Sequence, residues 1–132
     1  MKEFKTTEKH FKVFVRECKK WINKFGLLGW EINYVHEDLD PKARATCTAD
    51  LDGRLVLLNL SVSLDLDPTD VAIKRVAFHE VMEVFLSQIV DIAYSRFVNE
   101  HEIEQETHNI IRTLEHVVFD ASIKRKKKQN TR

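Results

Sequence analysis

The chain has 132 residues, 43% hydrophobic and 32% charged, a size and mixture that suit one globular domain and exclude a wholly disordered or low-complexity chain. Lys and Arg balance Asp and Glu at 21 each, but six basic residues fall in 124–132 (KRKKKQNTR), leaving 15 basic against 21 acidic over 1–123; a mildly acidic body with a short basic tail argues against a nucleic-acid-binding domain. No apolar run approaches the ~20 residues of a membrane span, the start MKEFKTTEKH is too polar for a secretory signal, and Cys18 and Cys47 form neither a disulfide framework nor a Cys-x-x-Cys pair. A cytoplasmic protein without membrane contact is expected, one domain over 1–123 followed by a solvated basic tail.

Thr6 or Thr7 caps a first helix running to about residue 25, with Phe11, Phe14, Val15, Cys18, Trp21, Ile22 and Phe25 on one apolar stripe. Gly26 stops it, with Leu27 and Leu28 packing back over the last turn. Trp30, Ile32 and Tyr34 alternate with Glu31 and Asn33 and predict a half-buried strand, followed by a loop over HEDLDPK. Residues 43–61 predict an antiparallel hairpin turning at Asp52-Gly53, where both central residues are expected at positive φ. Asp67 caps the next helix, with Pro68 at its first position and Asp70 in its first turn. This helix runs to about residue 90 and is apolar nearly all round. Asn99 with Glu102 caps a last helix, to about residue 123, that buries Ile103, Ile110, Ile111, Leu114, Val117 and Val118. Helix, strand, hairpin, helix, helix is an α+β domain with a small, mostly antiparallel sheet.

The chemistry concentrates in AFHEVMEVFL. At 100° per residue, His79, Glu80 and Glu83 occupy roughly a third of the helix circumference, with Ser87 beside them and apolar residues elsewhere. Three ionisable groups on a buried helix are costly unless compensated, and a cation compensates them well. His79 and Glu83, one turn apart, reach a common point, and Glu80 lies to one side, where it can bond a metal-bound water. A third ligand is available on the last helix, where His101, Glu104, His108 and Glu115 share a flank. His108 is the first choice because neutral imidazole suits zinc; Glu104 is the second, and His101 remains open. The unchosen residue, Arg112 or Glu115 can orient His79. Among the other histidines, His36 ends the first strand facing with Tyr34, His10 lies on a polar helix side, and His116 reads as a surface residue. Both cysteines read as small core residues.

The string resembles the zinc-peptidase motif H-E-x-x-H, with Glu83 replacing the second histidine. Together with Trp30-Glu31-Ile32, Leu57-Leu58-Asn59-Leu60, the stretch 77–83 and the stretch 106–115, it makes the chain similar, over about residues 5–120, to the small zincin-like metallopeptidases often encoded by phages and prophages. The separation of 21 residues between Glu83 and Glu104 is like that of the glutamate ligand in gluzincins. The resemblance implies a minimal zincin-like fold and Zn²⁺ bound by His79, Glu83 and His108. It also implies Glu80 as the general base of peptide-bond hydrolysis through a metal-bound water, and a peptide or protein substrate added to the sheet edge. Glu83 adds negative charge at the ion, which lowers its Lewis acidity. A second reading therefore stands beside the first: a zincin-shaped, protein-binding module without turnover, with or without a structural metal.

Overall fold

A computed structural model describes residues 2–39 and 43–130. Residues 40–42 of the expected loop, and Thr131 and Arg132 of the tail, lie outside the described residues. The architecture is α+β, as expected, and the chain divides into two compact units, Met1–Ser87 and Gln88–Arg132.

In the first unit, α1 (Glu8–Lys24) is capped by Thr7, whose side chain accepts from the His10 backbone N–H while the His10 ring bonds the Thr7 N–H. His10, expected only to lie on a polar helix side, completes the cap. Gly26 ends the helix at φ +67°, with Gly26 N donating to Asn23 O and Leu27 N to Ile22 O, the paired bonds of a Schellman motif. The predicted strand appears as β2 (Glu31–Glu37), after a two-residue β1 (Phe4–Lys5) that the sequence pattern did not announce.

The hairpin forms from β3 (Ala45–Asp50) and β4 (Leu55–Ser61), antiparallel with Cys47 opposite Leu58. Its turn departs from expectation. The connection has four residues, and the left-handed conformation falls on Arg54 at φ 54° and not on the Asp52-Gly53 pair. The Arg54 guanidinium lies 5.1 Å from the centre of the Trp30 ring, a contact that offsets part of the backbone cost. The sheet order is β2-β4-β3 with β2 parallel to β4, so β4 enters the gap between two strands made earlier in the chain. A two-residue β5 (Ser63–Leu64) pairs antiparallel with β1.

The next helix, α2 (Asp70–Tyr94), begins two residues later than expected from a cap at Asp67 and a first helical position at Pro68, and extends past residue 90. Thr69 supplies the cap, its Oγ1 accepting from Ala72 N at 3.2 Å. The core joins one face each of α1, β4 and α2: Phe14, Cys18 and Ile22; Val56, Leu58 and Leu60; Ile73, Ala77, Val81 and Val84. Phe78 packs edge-on to Trp21 at 4.9 Å. No described helix is long and apolar enough to cross a membrane.

The second unit contains α3 (Glu100–Leu114), a π-helical turn (Glu115–Asp120) and α4 (Ala121–Asn130). Asn99 and Glu102 form the expected capping box. The expected burial of the apolar stripe is not met: Ile110 and Val117 are half-buried, and Ile103, Ile111, Leu114 and Val118 are exposed. Residues 124–130, expected as a frayed end, continue the helix.

Candidate functional site

The buried residues of α2 are Ile73, Val76, Ala77, Glu80, Val81 and Val84. Their spacing of three and four traces one helix face, and Glu80 sits in the middle of it. The polar stripe expected on a wholly buried helix is therefore divided. Glu80 is only 5% exposed, whereas the side chains of His79 and Glu83 keep 70% and 51% of their surface in solvent.

His79 Nε2 and Glu83 Oε1 stand 3.6 Å apart. Two ligand atoms at ~2.0–2.1 Å from a tetrahedral zinc are roughly 3.4 Å apart, so this pair fits two corners of one coordination sphere with little adjustment. Glu80 Oε2 is buried without a hydrogen-bond partner among the described residues, a costly state for a carboxyl oxygen. Burial foremost, then the charge of Glu83 and a hydrogen bond shared with it, push the Glu80 carboxyl up to about 8. A cation beside this pair opposes the shift, and the donor set of imidazole and carboxylate suits zinc.

The two thiols sense the same charges. Burial, then Glu83 and Glu80, push Cys47 up to about 12; burial, then Glu80, raise Cys18 as well. Both stay protonated at neutral pH, in line with their reading as core residues, although Cys47 is only half-buried. Among the described residues no group of three or more His, Cys, Asp or Glu side chains is arranged to hold a metal ion. His108, Glu104 and His101 are exposed residues of α3 in the second unit. His36, a residue of β2, is structural: its Nε2 lies 2.7 Å from Thr6 Oγ1, and its ring stacks on Phe11 at 5.2 Å.

Beside His79 and Glu80 opens a cleft of about 550 Å³. Arg44 just before β3, Ala45 at its start, Leu66 from the connection between β5 and α2, and Val71, Arg75 and Val76 from α2 contribute to its walls. β3 is the outer strand of its sheet. Ser61 N donates to Arg44 O, which sets the alternation of the ladder: Thr46 and Thr48 exchange bonds with β4, and the main-chain groups of Ala45, Cys47 and Ala49 point to the open edge. The sequence reading missed Arg44, Arg75 and Ala45. Only Arg75 carried a signal, being one helical turn before His79.

No protein-family model, curated protein sequence or solved structure matches the chain.

Proposed function

We propose that the chain is a small zincin-like metallopeptidase that hydrolyses peptide bonds, with His79 and Glu83 as two donors to a Zn²⁺ ion. The observation that carries this reading is the unpaired Glu80 Oε2, buried beside the cleft and next to the His79–Glu83 pair. A bound zinc supplies Lewis acidity to the scissile carbonyl. Glu80 accepts a proton from the attacking water and returns it to the leaving amine, so the carboxylate is regenerated. The outward main-chain groups of Ala45 and Cys47 receive an extended peptide as an added strand.

Elemental analysis of untagged protein, followed by cleavage of a peptide library, tests the reading. About one zinc per chain, with cleavage lost and zinc retained in Glu80→Gln, is the expected result. No zinc uptake on titration, or full cleavage by Glu80→Gln, overturns it. Zinc retention in His108→Ala and Glu104→Ala separates the two leading sequence candidates for a third donor. Glu83 also favours a second reading, a peptide-binding module without turnover, because a second carboxylate weakens the ion as a Lewis acid. Peptide binding that persists in Glu80→Gln, with no cleavage by the wild type, distinguishes it.

A further inference from the structure

The cleft beside His79 has features that the proposed hydrolysis does not use. Its floor is aliphatic, with Ala45, Leu66, Val71 and Val76, and Val71 is 69% exposed. Two guanidinium groups border it, in different states. Arg44 is tied to Asp65, with Nε to Oδ1 at 2.7 Å and a second bond from its other nitrogen at 3.2 Å. Arg75 is exposed on α2 and has no charged partner among the described residues. A guanidinium is a planar fork of donors matched to a carboxylate. An aliphatic floor beside a free fork calls for a ligand that is apolar over most of its length and negative at one point. The cleft is half-open and adjoins Ala45 at the open edge of β3, so a peptide paired along that edge continues past it and presents a side chain, not a terminus, to Arg75.

We propose that this cleft is an acidic-residue subsite: Arg75 takes the side-chain carboxylate of an Asp or Glu in an otherwise aliphatic peptide, while the peptide main chain pairs with the open edge of β3. The proposal rests on the peptide-directed reading given above, and it adds the substrate class. Arg75 is a specificity residue and takes no part in the chemistry.

The test is fluorescence anisotropy on the full chain with pairs of labelled valine–alanine peptides, blocked at both ends, that differ only in one Glu against Gln. Measurements are made with added zinc and again with chelator. The Glu peptide is expected to bind about tenfold more tightly, the ratio given by one charge-assisted contact. Arg75→Gln is expected to bring the two peptides to equal affinity without changing that for the Gln peptide, and Arg75→Lys to retain part of the preference. Rising salt should narrow the gap. Equal affinities on the wild type, or an undiminished preference in Arg75→Gln, overturns the proposal. An acidic preference without cleavage keeps the subsite and removes the peptidase reading; cleavage indifferent to the Glu removes the subsite alone.

Discussion

Glu80 and Glu83 are neighbours on one helix, yet Glu80 is 5% exposed and the Glu83 side chain keeps 51% of its surface in water. The buried member carries the strain of the pair, because burial and the facing negative charge both disfavour its ionised form.

A dependence of stability on pH follows. The Glu80 carboxyl is raised from 4.5 to about 8 in the folded protein. Between those values the folded state holds a proton that the unfolded chain has shed, so the stability of the metal-free protein falls as pH rises through this window. Glu80→Gln is expected to flatten the fall and to raise Tm most at the alkaline end. Thermal unfolding in chelator from pH 5 to pH 8 checks both; a wild-type Tm that climbs over that range contradicts the sign.

Zinc binding is expected to respond to the exposed pair. Supporting residues outside the coordination sphere are worth about 10–100-fold in metal affinity, so loss of a donor should cost at least about tenfold. His79→Ala and Glu83→Ala are each expected to weaken zinc by that factor in a competition titration with a chromophoric chelator. Both residues are largely exposed, so the circular dichroism spectrum should not change.

Gly26 has open space around its missing Cβ, with nothing within 4 Å, and φ of +67°. The cost of Gly26→Ala is therefore conformational alone, about 1–2 kcal/mol. Urea unfolding should show a lower midpoint with an unchanged slope.

Thr6 is the tie between the amino-terminal strand and the sheet. Its Oγ1 bonds Ser61 O at 2.7 Å and stands 2.7 Å from His36 Nε2. Thr6→Val keeps the shape and leaves both partners unpaired, at a cost of about 1–3 kcal/mol. Thr6→Ser should restore most of it in the same denaturant titration.

The bounds of α1 and the start of α3 were legible because their signals are local, whereas the cap expected at Asp67 gave way to Thr69. Of the two expected candidates, Thr6 or Thr7, it is Thr7 that caps α1; Asn99 caps α3 as expected, and Gly26 stops α1. The hairpin was legible from alternation, but its turn was not: Arg54 takes the left-handed conformation beside an aromatic ring found only in the folded sheet. Strand β1 was illegible because two residues carry no period, and their partner lies 60 positions away, at Leu64 opposite Phe4. At the site, spacing put His79 and Glu83 together, as found. It did not separate Glu80 from them in burial, because a helix apolar on nearly every side does not show which face meets the core. The cleft was invisible for the same reason as β1, since β3 and α2 meet only in three dimensions.

The pairing of β1 with β5 has a consequence for biosynthesis. Phe4 finds its partner only when Leu64 has been made, and β4 must likewise slot between strands translated before it. At roughly 5–20 residues per second, the apolar stripe of α1 waits on the order of seconds for its sheet. During that interval the stripe has no core to bury it. Slowing translation between the end of α1 and Val84 should therefore lengthen the exposure of the nascent chain, whereas slowing it beyond the core residues of α2 should lengthen it less.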